Sequence, residues 1–234
     1  MISTTHRSDA PELMDDFNME GEILRDALDK IANINQLLGG NKITLDGVAS
    51  LIKSKPKQEI IRIIDIGCGS GDMLRTLAAY GKKHQLIFLL KGIDANSFTI
   101  DYARDLSNAY ENITYECKDI FNDDNEECDI MLCTLTLHHF KDEEIIAFLR
   151  NYMRLAKLGI VINDLNRNKM AYYLFKAVCF LFRLNDMSRE DGLVSILRGF
   201  KRADLLAYSN VLKPKFFSIK WKWAFRYQWI IKTQ

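Results

Sequence analysis

Between residues 19 and 38 the apolar positions Ile23, Leu24, Ala27, Leu28, Ile31, Ile34 and Leu38 recur at intervals of three and four. That spacing puts them on one face of an α-helix, and Gly39–Gly40 ends it. A shorter stripe, Leu45, Val48, Ala49 and Ile52, predicts a second helix, followed by the basic connector KSKPKQ over 53–58. The period then changes. Residues 60–66 form a short run rich in β-branched side chains that ends in glycines, which reads as a buried strand. Further strands are expected over 86–93, 113–117, 128–134 and 159–162. Helical segments lie between them: 72–80, closed by Gly81; 96–106, capped by Asn96 or Ser97; and 142–155, capped by Asp142. Strands alternating with helices imply βαβ units and a parallel sheet.

The tail has another rhythm. After a helix near 200–209, the odd positions Phe217, Ile219, Trp221, Trp223, Phe225, Tyr227, Trp229 and Ile231 are all apolar. This is the period of a strand, and a break near 223–225 divides it into two antiparallel strands. The apolar stretch 171–184 carries Lys176 and falls short of the roughly twenty residues a spanning helix needs; it reads as a buried or lid helix. The expected architecture is α/β, a doubly wound seven-stranded sheet of five parallel strands and a C-terminal antiparallel hairpin. Residues 1–55 form a flexible segment (1–18) and an N-terminal helical cap. Residues 56–234 form the main domain, with a helical lid insert at about 166–198.

Composition narrows the classes. The chain has 234 residues, 32 Lys+Arg against 31 Asp+Glu, and a net charge of +1, so no global field draws nucleic acid or an anionic membrane. The start, MISTTHRSDAPELMDD, has no apolar core of a secretory signal. The cysteines 68, 117, 128, 133 and 179 make no CxxC pair and no Cys/His ligand spacing. Reduced thiols, a cytoplasmic setting and no structural zinc are expected. From 201 onward Lys and Arg outnumber the single acid Asp204, with tryptophans interleaved. This reads as a solvated strand face above a buried aromatic one; an RNA or membrane-surface patch is the other reading.

The sharpest chemical signal is Asp65-Ile66-Gly67-Cys68-Gly69-Ser70-Gly71-Asp72, which follows a strand and opens a helix. Glycines there permit close approach of a ligand to backbone and present N–H groups at a helix N-terminus. The dinucleotide fingerprint wants its third glycine one place later, where Asp72 stands. Asp72 also adds negative charge where a pyrophosphate would sit. No Walker loop is present. The Gly67–Gly71 loop resembles motif I of the class I S-adenosylmethionine-dependent methyltransferases, [DE]-x-G-x-G-x-G. The resemblance implies a Rossmann-like methyltransferase fold with S-adenosyl-L-methionine as cofactor and S-adenosyl-L-homocysteine as product. In that frame Asp65, Gly67, Cys68, Gly69 and Gly71 contact the cofactor. Asp94 at the end of the next strand, with Ala95 beside it, takes the ribose hydroxyls. Asp119 receives the adenine amino group, Ile120 packs on the ring, and Thr134 lies at the end of the fourth strand. Asn35 and the Gly39–Gly40 turn are expected to close over the cofactor. The resemblance covers about half the chain, 60–163.

Residues 129–140, DIMLCTLTLHHF, resemble motif IV of small-molecule O- and C-methyltransferases. The Asn/Asp-Pro-Pro-Tyr/Phe motif of amino-group enzymes and the Pro-Cys of RNA cytosine enzymes are absent, since the prolines are Pro11, Pro56 and Pro214. A phenol, with a pKa of about 10, needs a base, and His138 and His139 are the candidates. A magnesium site of the catechol type would need an acid where Thr134 and Thr136 stand, so no metal is expected. The segments Leu13–Asp16, Ile34–Gly40 and Val161–Arg167 with Ala171-Tyr172-Tyr173 resemble bacterial methyltransferases encoded beside type III polyketide synthases. This implies a phenolic, quinone-like or polyketide-derived acceptor. That subgroup often reads Asn-Asp-Leu-His-Arg; here Asn166 stands in place of the histidine. Asn163, Asn166, Tyr172 and Tyr173, with Phe175, Phe180 and Phe182, are expected to line the acceptor pocket. The expected partner is a small molecule, with no nucleic acid and no stable membrane anchoring; a homodimer is also considered. The competing functions are a macromolecule methyltransferase using the basic tail and a cofactor-binding protein without turnover. An NAD(P) oxidoreductase is disfavoured by Asp65 and the displaced third glycine.

Overall fold

A computed structural model describes residues 2–121, 126–182 and 184–234. Helices α1 (Glu22–Leu37) and α2 (Gly40–Ile52) precede strand β1 (Ile60–Ile66). Then follow α3 (Asp72–His84), β2 (Ile87–Asp94), α4 (Ser97–Leu106), β3 (Ile113–Cys117), β4 (Cys128–Thr134), α5 (Asp142–Leu155) and β5 (Ala156–Leu165). Helices α6 (Lys169–Leu181), α7 (Asp186–Arg198) and α8 (Arg202–Leu212) lead to β6 (Phe216–Lys222) and β7 (Arg226–Lys232). The seven strands form one sheet in the order β3-β2-β1-β4-β5-β7-β6. The pairs from β3 to β5 are parallel, and β7 is antiparallel to both its neighbours. The doubly wound architecture is as expected from the alternation of periods.

Alternate residues of the strands feed two cores. Ile64, Ile66, Met131, Cys133, Ile160, Ile162, Trp229 and Ile231 pack with Phe148, Tyr152, Leu205 and Tyr208 of α5 and α8. Ile61, Ile63, Ile130, Leu132 and Val161 pack with Val48, Ile52, Leu74 and Leu77 of α2 and α3. A third cluster joins Leu24, Ala27 and Leu28 of α1 to Met187 of α7. Because the strand order reverses between β1 and β4, their carboxyl ends open a crevice where such sheets bind ligands.

Several expected boundaries move. Gly81 does not end α3: a Cβ there would meet the Phe88 ring at 3.0 Å, so its role is close packing, and the helix stops at Gln85 in a left-handed conformation. β5 runs longer than 159–162, and the apolar lid segment is joined by a separate helix, α7, whose N-terminus Asn185 caps through Ser188 N–H. The solvated face expected of the tail is not found on β7. Arg226 and Gln228 are 4% and 3% exposed because α2 covers them, with Gln228 Nε2 donating to Ile43 O at 2.6 Å. The edge strand β6 instead leaves Phe216 and Trp221 exposed, as is Trp223 in the turn. The polar leader, read from sequence as flexible, packs down. Arg7 donates to the carbonyls of His138, Phe140 and Arg198, and Glu12 is buried. All five cysteines are free thiols.

Candidate active site

β1 delivers the glycine loop to the crevice. Gly67, Gly69 and Gly71 have φ of 65°, 51° and 77°, a region side chains rarely adopt. At Gly71 a Cβ would stand 2.0 Å from Tyr115 Oη, and at Gly67 it would stand 2.3 Å from Thr136 Cγ2. Gly69 meets only Leu28 at 3.8 Å, leaving its face open to the crevice. Gly67 and Cys68 donate to Ile93 O, and Gly69 donates to Asp94 Oδ2 at 3.1 Å. The loop is therefore tied to the end of β2.

Three carboxylates stand at the ends of β1, β2 and β3. Asp65 is 2% exposed, and among the described residues its Oδ1 has no hydrogen-bond partner. Burial, with Asp72 and Asp94 nearby, pushes its carboxyl up to about 8. A buried lone carboxylate of this kind is stabilised by a cation. Asp94 accepts from Gly69 and Asn96 amides, and burial raises its carboxyl. Asp119 accepts from Phe121 N–H. Ala95, Asp119 and Ile120 line the same cavity, as does Thr134, which meets Thr44 Oγ1 at 3.0 Å. Asn35 bonds Asn41, which reaches Asp72 Oδ2 at 2.9 Å, so the end of α1, the start of α2 and the start of α3 share one network.

Two further residues were not legible in the sequence. Arg226 lines the cavity fully buried; its Nε and Nη1 have no partner among the described residues, and burial brings its guanidinium down to about 10. Leu135 follows β4 with φ 55°, a strained value of the kind that collects at functional sites. Neither has a motif: Arg226 is one polar position in an alternating strand.

Both candidate histidines sit on a 3-10 turn, Leu137–His139. His138 is 2% exposed, its Nδ1 2.7 Å from Asp164 Oδ1. Burial opposes charge on Asp164, but His138 and the Leu165 amide outweigh it and hold the carboxyl below its usual range. His139 Nδ1 lies 2.7 Å from Asp15 Oδ1. Both Nε2 atoms point to Glu12, at 3.7 Å from Oε1 and 3.9 Å from Oε2. Burial pushes the Glu12 carboxyl up to about 7. Glu12 and Asp15 belong to the leader; Asp15 lies within the Leu13–Asp16 segment, whose resemblance was the one available signal, and Glu12 immediately before it.

The cavity measures about 980 Å3, with the strand ends as floor and α1, α6, α7 and the β6–β7 turn as roof. Asn35, the loop residues Gly67, Cys68 and Gly69, both histidines and Asn166 line it, whereas Gly71, expected to contact the cofactor, does not and packs against Tyr115 instead. Asn163, Tyr172 and Tyr173 are not among the lining residues. Asn163 is fully buried and holds α2 through Gly40 O and Thr44 Oγ1. Tyr173 is 56% exposed on the outer side of α6. From α6 it is Leu174, Phe175, Val178 and Leu181 that line the space; Phe180 is exposed.

Residues 63–159 match the family model described as a methyltransferase domain. No curated protein matches the sequence. The plantazolicin methyltransferase BpumL, solved with S-adenosylhomocysteine, is 18% identical over 88% of this chain and 89% of its own, with a TM-score of 0.66. Magnesium protoporphyrin IX methyltransferase (ChlM) from Synechocystis PCC 6803, also with S-adenosylhomocysteine, is 20% identical over 85% of each chain, with a TM-score of 0.55. The CurJ carbon methyltransferase is 13% identical over 82% of this chain and 54% of its own, with a TM-score of 0.60. The sheet order and these neighbours agree on the fold, a Rossmann-like sheet, and residues 63–159 within it are similar to a methyltransferase domain. Among the described residues no helix is long and apolar enough to cross a membrane.

Proposed function

We propose that the protein transfers the methyl group of S-adenosylmethionine to an oxygen or carbon of a small, largely apolar acceptor held in the cavity. The observation that carries this reading is Asp65: a buried carboxylate with an unpartnered oxygen, at the floor of a cavity and beside a glycine loop. It suits the cofactor's amino group and suits a phosphate badly. Asp94 and Asp119 serve the ribose and the adenine, Ile120 the ring, and Asn35 closes the methionine end. Arg226 takes the methionine carboxylate, the one anion the cofactor carries. When bound, S-adenosylmethionine supplies a sulfonium methyl for in-line displacement and departs as S-adenosylhomocysteine. The chain contributes mainly position, worth roughly 7–11 kcal/mol at best. His138, held at Nδ1 by Asp164, lines the cavity and takes the acceptor's proton through Nε2, which Glu12 covers in the ligand-free protein, and His139, held by Asp15, stands beside it. Leu174, Phe175, Val178 and Leu181 supply the apolar wall. A phenolic, quinone-like or polyketide-derived acceptor rests on the sequence resemblance and on that wall. The roof over the cavity favours a small acceptor over a macromolecule.

The test is a thermal shift with S-adenosylhomocysteine and, separately, NAD. At a hundred times Kd a native-state ligand adds about 2.7 kcal/mol, on the order of 5–10 °C for a domain of this size. A rise with S-adenosylhomocysteine alone is expected; no rise, or a rise with NAD instead, overturns the assignment.

A further inference from the structure

Three side chains at the roof of the cavity converge on one point: Glu12, His138 and His139 offer ligand atoms that all lie within 4.8 Å of one another. Asp164 accepts from the backbone N–H of His138 and of Leu165, at 3.2 and 2.7 Å, so the third bond, at 2.7 Å, is donated to it by His138 Nδ1–H. Nε2 is then a bare lone pair. It faces Glu12 Oε1 at 3.7 Å, another acceptor. Both atoms are buried, and neither has a hydrogen-bond partner among the described residues. Two lone pairs facing each other away from water repel unless a proton or a metal cation lies between them, and 3.7 Å is too long for a shared proton.

We propose that Glu12, His138 and His139 bind a divalent transition-metal cation. The donor set is two imidazoles and one carboxylate, as in catalytic zinc sites and in the facial triad of non-haem iron. Each imidazole is oriented by a carboxylate at Nδ1, Asp164 for His138 and Asp15 for His139, the outer shell that metal-binding histidines ordinarily have. Ser195 Oγ donates to Glu12 Oε2 at 2.7 Å and fixes that carboxylate too. With metal–ligand bonds of about 2.0–2.1 Å, tetrahedral ligands stand roughly 3.4 Å apart. The approaches of 3.7 and 3.9 Å run to different oxygens of Glu12, so the three ligand atoms, now within 4.8 Å of one another, draw together to that spacing around a cation. The charge is also right. Arg198 approaches Glu12 at 3.6 Å, but its Nη1 is held by Asp15 at 2.6 Å. Glu12, Asp15 and Asp164 face the single guanidinium of Arg198, so the surroundings of the two imidazoles are acidic.

This inference rests on the cavity being the acceptor site. A cation there occupies the lone pairs that the bare imidazole base would use, so cation and base are alternatives for one position. The test uses the full chain, stripped with chelator and titrated with Co2+ while the visible d–d absorption is followed. One saturable equivalent per chain is expected, weakened about 100-fold or more in Glu12→Gln and in His138→Gln, and about tenfold in Asp15→Asn. S-adenosylhomocysteine binding is followed in the same samples and is expected to stay within about twofold, which also shows that each variant is folded. No band, or a band that survives both Glu12→Gln and His138→Gln, overturns the site and leaves His138 as the base. Loss of S-adenosylhomocysteine binding in the unaltered protein would instead count against the cofactor assignment and not against the cation.

Discussion

His138 and Asp164 meet at 2.7 Å with both side chains 2% exposed, bringing the end of β5 against the turn after β4. The carboxylate fixes the imidazole tautomer and aims Nε2 away from the sheet. His138→Gln is expected to lower kcat about 10²–10⁴-fold with an oxygen acceptor. Asp164→Asn, which loses the tautomer but keeps the shape, should cost about 10–100-fold. Single-turnover rates with saturating cofactor check both, and unchanged rates would remove His138 from the reaction.

Asp65 makes ligand-free stability depend on pH. Its folded carboxyl lies near 8, far above the ordinary 3.8. The folded state therefore holds a proton that the unfolded state has released, and stability falls as pH rises from about 4 to about 8. Asp65→Asn is expected to stabilise the ligand-free protein near neutral pH by up to about 4 kcal/mol and to flatten that slope. It should weaken S-adenosylhomocysteine binding at the same time. Urea unfolding at several pH values, beside calorimetric titration, reads both effects.

Arg226→Met separates the two ends of the cofactor. S-adenosylhomocysteine should bind about 10–100-fold more weakly, while methylthioadenosine, which lacks the carboxylate, binds as before. Ligand-free stability is expected to hold or rise, because a buried guanidinium whose Nε and Nη1 have no partner among the described residues is replaced by an apolar chain of similar length.

Gly71→Ala has no room. The φ of 77° costs about 1–2 kcal/mol for any side chain, and the contact with Tyr115 Oη at 2.0 Å forces that ring to move. A loss of about 2–4 kcal/mol in urea unfolding is expected. Tyr115→Phe in the same chain should recover part of the contact cost and none of the backbone cost.

Phe175 and Leu181 separate acceptor from cofactor. Truncating either to Ala is expected to raise the acceptor KM about tenfold, as one apolar contact is worth about 1–3 kcal/mol, and to leave S-adenosylhomocysteine affinity alone. Equal loss of both would mean that α6 supports the cofactor side.

The floor of the site was legible because it is local. Asp65 through Gly71 needs one strand, one turn and one helix start, and Asp94 and Asp119 follow the same strand-end logic. The roof was not, because its groups come from distant parts of the chain. Glu12 reaches His138, Arg198 reaches Asp15, and Leu13 N–H reaches Asp191, 178 positions away. Tyr172 and Tyr173 resembled pocket residues by composition, yet a helix has two sides and only contact with α7 decides which is inner. Arg226 and Gln228 followed the alternation of an exposed face, and only the packing of α2 on β7 reveals that both are buried.

The pinning of the leader to α7 has a consequence for folding. The sheet can assemble from neighbouring βαβ units, each closing a short loop, but the roof joins a segment near residue 12 to helices beyond residue 185. Contacts of such separation form late. During synthesis the glycine loop therefore takes shape before the pocket above it exists. Lifting the strap of residues 7–15 with α7 would break its bonds to the turn after β4 but no strand pairing of the sheet. Amide exchange should then divide the molecule along the cavity itself, with slow protons in β1, β4 and β5 below it and fast ones in the strap and α7 above.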